Sequence, residues 1–272
     1  MHSHDIGRIA DRLIASFDTA AQIESISKTD PGFDVDAGYA VLLEIETRRI
    51  RGGWRPVGRK LGFTNRTIWE RYGVDRPMWS RIWSHTVHDA PSRVATLSLS
   101  GFMEPRLEPE VVFRIAAPVP ATDDADAILD AVDAIAPGFE IVQTPFPHWR
   151  FTAADVAAAC ALHGALVVGR FEPLDAARRR ELARKLPSFE ATLSRGASVI
   201  DRGIGAHVLD SPALALAHLV RGLADRTAFP PLVAGEIVTT GTLTDAAPVK
   251  MGEAWSSDYG DLGLAGLTIT FA

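Results

Sequence analysis

Two glutamates separated by one proline lie within an apolar segment near the middle of this 272-residue chain. Residues 106–113 read RLEPEVVF, a length and composition typical of a β-strand. Side chains two residues apart on a strand point to the same face, so Glu108 and Glu110 face the same side of the sheet. Because the flanking residues are apolar, this face is expected to be at least partly buried. Any fold for this chain must therefore accommodate two adjacent carboxylates.

Two neighbouring carboxylates cannot both stay ionised in a buried position without a compensating cation. A hard divalent ion such as Mg²⁺ or Mn²⁺ is the usual solution, because it prefers oxygen ligands. Glu140 lies in a second apolar segment and completes a candidate metal set with Glu108 and Glu110. The alternative is an edge strand with a solvated acidic face, in which Pro109 marks the edge. The glutamates alone leave both interpretations open.

The charge balance and cysteine content exclude several classes of protein. A formal net charge of −6 argues against nucleic acid as the main partner, since phosphate binding requires clustered Lys and Arg. Cys160 is the only cysteine, so no intrachain disulfide can form and a reducing cytoplasm is the expected location. The first residues lack the pattern of a secretory signal, and the apolar stretch 153–169 is too short and too interrupted to span a membrane. We therefore expect a cytoplasmic protein without a membrane partner.

Apolar residues at helical spacing predict a first helix within residues 5–28. A second helix is predicted from a cap at Asp34 or Asp36 to about Arg51. The predicted strands are 93–99, 107–115, 138–144, 164–170, 235–240 and 265–271, and the further predicted helices are 123–135, 153–162, 174–185 and 211–224. Because the strands do not alternate strictly with helices, the pattern predicts an α+β fold rather than a doubly wound sheet.

Six short motifs follow one another along the chain. They are GRKLGFTN (58–65), YGVDRP (72–77), EPE (108–110), FEIV (139–142), TGTLT (240–244) and PVKMG (248–252). In these motifs and their order the chain resembles the hydratase and decarboxylase branch of the fumarylacetoacetate hydrolase family. The resemblance implies a rolled, mixed β-sheet core of that family's C-terminal type, with a helical N-terminal segment packed on it. We accordingly expect a helical segment over 1–80 and a β-rich catalytic core over 81–272, which can form one continuous domain.

The resemblance also implies an activity. It points to a metal-dependent lyase, a hydratase, in which Glu108, Glu110 and Glu140 hold Mg²⁺ or Mn²⁺ and the substrate is a small 2-oxo acid or its 2-hydroxydienoate enol, as in aromatic-compound degradation. Decarboxylation of a 2-oxo acid and C–C hydrolysis of an acylpyruvate use the same metal–enolate arrangement and stay open. A non-catalytic binding or structural domain is the alternative of another class. Family members form homo-oligomers, which implies self-association here.

Lys60 is one of only four lysines, at positions 28, 60, 185 and 250. It lies between Gly58 and Gly62, where small residues allow a ligand or another backbone to approach closely. A partly buried ammonium there could stabilise charge on a substrate enolate or exchange a proton with it. The alternative is a lysine whose charged end extends from a strand into solvent. The resemblance aligns Lys60 with a catalytic lysine of the family.

Thr240 and Thr242 flank Gly241 after an apolar strand. Their hydroxyl groups and the flexible backbone between them could bind a substrate carboxylate. An ordinary exit from strand to turn explains the same residues without any function. The match to the family's C-terminal signature favours substrate binding.

The chain departs from the family pattern at several positions, which predicts a rebuilt pocket and a different substrate. Met78 stands where hydratases of this branch usually have an acidic residue, although Asp75 remains close by as a candidate catalytic group. Ala159-Cys160 replaces an Asp-Asn pair, and Gln143 replaces a frequent aspartate. His163 appears at a predicted helix-to-strand boundary, where it could serve the distal proton or water, or activate water in a hydrolase. The alternative is a histidine satisfied within the core.

Overall fold

The structure is a computed structural model that describes residues 3–272. Its α-helices are α1 (Ser3–Thr19), α2 (Ile26–Thr29), α3 (Val35–Arg51), α4 (Trp69–Tyr72), α5 (Ala125–Leu129), α6 (Ala153–Ala158), α7 (Ala176–Lys185) and α8 (Pro212–Ala224). Its β-strands are β1 (Pro56–Gly62), β2 (Met78–Trp83), β3 (Val87–Ala90), β4 (Val94–Leu97), β5 (Arg106–Ile115), β6 (Val132–Val142), β7 (His163–Gly169), β8 (Glu172–Pro173), β9 (Glu190–Arg195), β10 (Ser198–Ile204), β11 (Ile237–Thr239), β12 (Ala247–Pro248), β13 (Ala254–Asp258) and β14 (Thr268–Phe271).

The strands form two sheets. The larger sheet has the order β2-β1-β11-β5-β6-β7-β3, and β12 and β8 pair with β5 and β6 respectively. Its pairs are antiparallel except for β1–β11 and β3–β7, which are parallel. The smaller sheet has the order β10-β9-β13-β14-β4. The predicted α+β fold with a mixed β-sheet is therefore confirmed.

β5 and β6 are the two longest strands and form the centre of the larger sheet. β5 pairs with β11 on one side and with β6 on the other, so it is not an edge strand. Pro109 lies in this central strand, and its carbonyl accepts a hydrogen bond from the Leu243 amide at 3.0 Å. The interpretation of Glu108 and Glu110 as the solvated face of an edge strand is therefore wrong.

The N-terminal helices pack through apolar side chains that recur at helical spacing. Ile9 and Leu13 of α1 and Leu42 of α3 are buried in the same apolar cluster. The side chain of Asp34 accepts a hydrogen bond from the Ala37 amide and caps α3, as predicted. α1 ends at Thr19 rather than near residue 28, because Ala20 has a φ of 52° and turns the chain out of the helix.

Two predicted helices are wrong in part. The helix predicted over 123–135 is reduced to α5, and the chain enters β6 at Val132. β6 is buried on both faces, so its apolar residues do not alternate with polar ones and resemble a buried helix in sequence. The helix predicted over 153–162 ends at Ala158, because Cys160 and Ala161 have positive φ angles of 55° and 47°.

The N-terminal segment predicted over 1–80 contains more than helices. β1 pairs with both β11 and β2, which places it within the larger sheet. Residue 80 lies inside β2, where it faces Lys60. The division at residue 80 stays a prediction, and the strand pairing connects the two predicted parts through one sheet. Across residues 3–272, no helix combines the length and apolar character needed to cross a membrane.

Candidate active site

Three carboxylates meet at the centre of the larger sheet. Glu108 and Glu110 lie on one face of β5, and the antiparallel register places Glu140 of β6 directly opposite Glu108. One oxygen from each carboxylate lies within 4.8 Å of the others. Gly138 faces Glu110 across the same pair of strands. The alternation along β5 and the register of β6 therefore suffice to bring the three glutamates together.

Glu110 and Glu140 are fully buried, and Glu108 is partly buried where it lines the cleft described below. Burial is the main reason why the pKa of Glu108 rises to about 7 and the pKa of Glu110 rises well above its ordinary value. Glu110 Oε2 accepts a hydrogen bond from the Gly241 amide at 2.7 Å. Glu110 Oε1 is buried and, among the described residues, has no hydrogen-bond partner. An oxygen-only donor set with an unsatisfied buried lone pair fits a hard divalent cation.

Lys60 projects from β1 into this cluster and is buried. Its Nζ donates a hydrogen bond to the Ala161 carbonyl at 2.9 Å and lies 3.2 Å from Glu140 Oε2. Burial alone would lower the pKa of Lys60, but the nearby carboxylates outweigh it and raise that pKa. A Cβ at Gly62 would lie 3.2 Å from Nζ, so the glycine leaves room for the ammonium group. Lys60 is therefore a buried, charged group beside the carboxylates, not an exposed lysine.

His163 contacts the same cluster from the other side. Its Nδ1 lies 2.8 Å from Glu140 Oε1, and its Nε2 lies 2.9 Å from Thr86 Oγ1. Burial alone would raise the pKa of Glu140, but Lys60 and His163 outweigh it and hold that pKa below its ordinary value. Glu140 therefore favours the ionised form, and both Lys60 and His163 contact its carboxylate directly.

A cleft of about 530 Å³ opens above the carboxylates. Its polar lining includes Lys60, Glu108 and Thr242, and its apolar walls are Phe63, Ile68, Tyr72, Val142, Trp149 and Phe151. The Tyr72 and Phe151 rings stack with centroids 5.5 Å apart. Apolar walls lower the local dielectric and strengthen every charge interaction within the cleft.

His163 does not line this cleft. It lines a second cavity of about 570 Å³, together with Thr86, Gln143 and Cys160. The predicted role of His163 at the distal proton or water of the substrate is therefore not supported by its position. Its two ring nitrogens instead connect Glu140 to Thr86, which fixes the orientation of the carboxylate.

The two threonines differ in what their hydroxyl groups contact. Thr240 is buried, and its Oγ1 donates to the Val111 carbonyl at 3.0 Å. Thr242 lines the cleft, and its Oγ1 donates to the Thr244 carbonyl at 2.7 Å. The structure therefore places Thr242 where it can contact a substrate and uses the Thr240 hydroxyl to hold the strand end.

Asp75 does not reach the site. Its side chain is 79% exposed and lies 2.9 Å from the Arg76 guanidinium. Gly73, with a φ of 61°, ends α4 in a left-handed conformation; Val74 is then buried, whereas Asp75 and Arg76 are exposed before Met78 begins β2. The candidate catalytic role of Asp75 stays a prediction, which its position outside the cleft does not support.

Several cleft residues were missed in the sequence. Thr64 is buried, its Oγ1 is without a hydrogen-bond partner within the described part of the chain, and it lines the cleft. A Cβ at Gly241 would come within 1.8 Å of that hydroxyl, so the glycine permits the close approach. Arg106 also lines the cleft, and its alternation with Glu108 along β5 was a signal that could have identified it.

A relative of known name matches most of the chain. No family model matches the chain. It is 30% identical over 245 residues to 2-keto-4-pentenoate hydratase 2 of Dechloromonas aromatica strain RCB, covering 88% of this chain and 87% of the relative.

Two solved structures share the fold. The 4-oxalocrotonate decarboxylase from Pseudomonas putida G7, complexed with magnesium and adipate, has a TM-score of 0.89 at 22% identity and covers 100% of this chain and 99% of its own. Fumarylpyruvate hydrolase from Pseudomonas aeruginosa, in complex with Mn²⁺ and pyruvate, has a TM-score of 0.55 at 15% identity and covers 79% of this chain and 89% of its own. Both are similar in fold to this chain.

Proposed function

The chain belongs to the hydratase and decarboxylase branch of the fumarylacetoacetate hydrolase family, and from that premise we propose that it is a divalent-metal-dependent hydro-lyase. Its substrate is a small 2-oxo acid or the 2-hydroxydienoate enol of one, as in the degradation of aromatic compounds. The observation that carries the proposal is the convergence of three carboxylates within 4.8 Å beside a buried ammonium group.

Glu108, Glu110 and Glu140 hold Mg²⁺ or Mn²⁺. Carboxylate oxygens suit either ion, and the buried Oε1 of Glu110 has no competing partner among the described residues. When bound, the ion supplies the positive charge that polarises the carboxylate and 2-oxo oxygens of the substrate.

Lys60 acts on the proton of the enol. Its raised pKa keeps the ammonium charged at neutral pH, so it can stabilise negative charge on the substrate or deliver a proton to it. The Ala161 carbonyl fixes the direction of Nζ. A group whose direction is already fixed loses little conformational entropy when the substrate binds.

The Thr64 hydroxyl, which has no hydrogen-bond partner among the described residues, donates to the substrate carboxylate from the wall of the cleft, and Thr242 joins it when its hydroxyl rotates away from the Thr244 carbonyl. Thr240 assists by holding the backbone of that wall against Val111. His163 positions Glu140 and touches no substrate atom. Asp75 lies in solvent, so it does not hold a water inside the cleft. The water that adds to the distal double bond therefore enters from the open side of the cleft.

The hydrolase alternative requires a base that activates water beside the substrate carbonyl. His163 was the candidate for that role, and its position behind Glu140 disfavours it. Decarboxylation is the second candidate reaction, because it needs the same carboxylates and the same lysine. A non-catalytic domain would bind the divalent ion weakly and turn over no 2-oxo acid.

The experiment that tests the proposal follows the ultraviolet absorbance of 2-hydroxypenta-2,4-dienoate with the protein and Mg²⁺, repeated with EDTA. Rapid loss of the dienol band that EDTA prevents, with a hydrated acid as the product, is the expected result. Release of carbon dioxide from a 2-oxohexenedioate, offered in a parallel assay, would replace hydration by decarboxylation. A loss no faster than in buffer would refute the proposal for this substrate class.

Location and assembly are part of the same proposal. A cytoplasmic location agrees with the single cysteine, whose thiol pKa burial raises to about 12. Homo-oligomer formation is supported by exposed apolar side chains on β10, an edge strand of the smaller sheet: Val199, Ile200 and Ile204. Sedimentation of the purified protein tests the assembly.

A further inference from the structure

The second cavity, behind Glu140, shares one segment of chain with the cleft. Cys160 and His163 line the second cavity, whereas Ala161 and Leu162, which lie between them in sequence, line the cleft. Cys160, Ala161 and Leu162 have positive φ angles of 55°, 47° and 64°, so the chain leaves the helical path of α6 at this point. A molecule in the second cavity would therefore contact the segment that also shapes the active site.

Two groups of the active site are oriented by this segment. The Ala161 carbonyl accepts the hydrogen bond from Lys60 Nζ at 2.9 Å. His163 Nδ1 lies 2.8 Å from Glu140 Oε1, and His163 Nε2 lies 2.9 Å from Thr86 Oγ1, which also lines the second cavity. The second cavity therefore borders the contacts that orient Lys60 and Glu140.

The second cavity has the size and the walls of a site for a small ring compound. Its volume of about 570 Å³ lies within the range of ligand pockets. Phe17, Ile45, Trp54 and Trp83 form its apolar walls. The Trp54 and Trp83 rings meet edge to face, with centroids 5.5 Å apart and an interplanar angle of 77°. Such walls favour an aromatic ligand, because its ring can extend the same edge-to-face contacts.

A buried amide in the second cavity has a donor to offer. The Gln143 side chain lines the cavity, and the residue is only 9% exposed. Its Oε1 accepts a hydrogen bond from the Met103 amide at 3.2 Å, which identifies the oxygen end of the side-chain amide. Within the described part of the chain, Gln143 Nε2 has no hydrogen-bond partner. The cavity therefore favours a ligand with an oxygen that accepts a hydrogen bond from Nε2.

The charged groups that line the second cavity are already engaged. Both terminal nitrogens of Arg49 contact the Asp18 carboxylate, at 2.5 and 3.1 Å, and the Arg49 guanidinium lies 4.0 Å from the centroid of the Trp54 ring. His163 is directed at Glu140. Burial raises the pKa of the Cys160 thiol to about 12, so the thiol is uncharged at neutral pH. An anion would have to break the pair of Arg49 and Asp18, so an uncharged ligand fits this cavity better.

We infer that the second cavity is an effector site for an uncharged, single-ring aromatic molecule whose oxygen accepts a hydrogen bond from Gln143 Nε2. The ring of this molecule packs against Phe17 and the two tryptophans. The bound molecule restricts His163 to the orientation that contacts Glu140, so the carboxylate is already in place when Mg²⁺ binds. The effect on Mg²⁺ rests on the proposed function, whereas the binding of the aromatic molecule does not.

Calorimetric titrations of the whole protein with acetophenone and with benzoate test the binding. Both molecules have one aromatic ring, but acetophenone carries an uncharged carbonyl group where benzoate carries a carboxylate. We expect acetophenone to bind with a dissociation constant on the order of 0.1–1 mM and benzoate to bind at least about fivefold more weakly. Benzoate that binds as tightly as acetophenone, or acetophenone that does not bind, would overturn the inference.

Phe17→Leu and Phe151→Leu are matched variants, because each replaces a half-buried phenylalanine that lines one of the two cavities. Phe17→Leu should weaken acetophenone binding by at least about threefold through loss of an aromatic contact, whereas Phe151→Leu in the cleft should leave it unchanged. Gln143→Glu keeps an acceptor for the Met103 amide but replaces Nε2 by an oxygen, and at pH 8 it should weaken the binding by at least about fivefold. A loss of affinity in Phe151→Leu but not in Phe17→Leu would place the ligand in the cleft and overturn the inference.

Mg²⁺ titrations with and without saturating acetophenone test the effector role. Mg²⁺ should bind at least about threefold more tightly when acetophenone is present, and acetophenone should gain the same factor in saturating Mg²⁺, because coupling between two sites is reciprocal. An Mg²⁺ affinity that acetophenone leaves unchanged would overturn the effector role. A protein that binds acetophenone as expected but does not bind Mg²⁺ would refute the proposed function and leave the aromatic binding site standing.

Discussion

Replacing Glu110 by glutamine should stabilise the metal-free protein and abolish its stabilisation by Mg²⁺. Glu110 is fully buried between two other carboxylates, with oxygens within 4.8 Å. Each such pair repels by about 3.5 kcal/mol at that distance with an effective dielectric constant of about 20. Lys60 offsets part of this repulsion, and proton uptake relieves more. We therefore expect a net gain of about 1–3 kcal/mol in the free energy of unfolding of the metal-free variant.

The same substitution should reverse the order of stability when Mg²⁺ is present. A ligand at a hundred times its dissociation constant adds about 2.7 kcal/mol to the stability of a protein that binds it only when folded. The Glu110→Gln variant lacks one of the three carboxylates that hold the ion, so it keeps little of that gain in stability. The hydrogen bond from the Gly241 amide does not distinguish the two proteins, because the glutamine oxygen can also accept it.

Thermal unfolding at pH 8, in EDTA and in saturating Mg²⁺, measures both effects. A gain of 1 kcal/mol raises the midpoint by about 2–4 °C for a chain of this size. Glu190→Gln, which changes an exposed carboxylate of β9, is the control and should leave both midpoints unchanged. A Glu110→Gln protein that is less stable in EDTA and still responds fully to Mg²⁺ would refute a buried metal site at these carboxylates.

Three further predictions concern the same cluster. Glu108→Gln should abolish Mg²⁺-dependent turnover while the circular-dichroism spectrum stays that of the folded protein, and full activity would rule out its role as a ligand. Lys60→Met should reduce turnover by at least about 100-fold while Mg²⁺ still raises the unfolding midpoint, because the lysine acts on the substrate proton; unchanged turnover would contradict that role. In EDTA, the free energy of unfolding should fall between about pH 5 and pH 7. The folded protein keeps a proton on Glu108 up to its pKa of about 7, whereas the unfolded chain has released it above 4.5. Urea unfolding across this range should show that Mg²⁺ removes the fall.

Strand alternation explains why the metal carboxylates were predictable from the sequence. The face shared by Glu108 and Glu110 follows from a period of two, and a third glutamate in an apolar segment suggested a partner. The register that sets Glu140 opposite Glu108 could not be predicted from the periodicity of the sequence, because a shift of one residue would have turned the Glu140 side chain to the other face of the sheet. The position of Lys60 between two glycines indicated a close approach, and Gly62 does leave space for Nζ.

Asp75 shows the limit of reasoning from a motif. Its place in a motif suggested a place in the site, but the left-handed Gly73 ends α4 before it, and Asp75 lies on the exposed loop that leads to β2. The hairpin of β9 and β10 was missed for another reason. β10 is largely exposed and shows no apolar alternation, and the alternation in β9 is limited to two apolar residues, Ala191 and Leu193.

Three of the departures from the family pattern lie behind Glu140 rather than in the cleft. Gln143, Cys160 and His163 all line the second cavity, and none of them lines the cleft above the carboxylates. Gln143 Oε1 accepts from the Met103 amide at 3.2 Å, and His163 holds Glu140 at 2.8 Å. The Gln143 amide and the His163 imidazole therefore change how the Glu140 carboxylate is supported. They do not change which residues the substrate contacts. The predicted rebuilding of the pocket therefore affects the support of Glu140 rather than the residues that line the cleft.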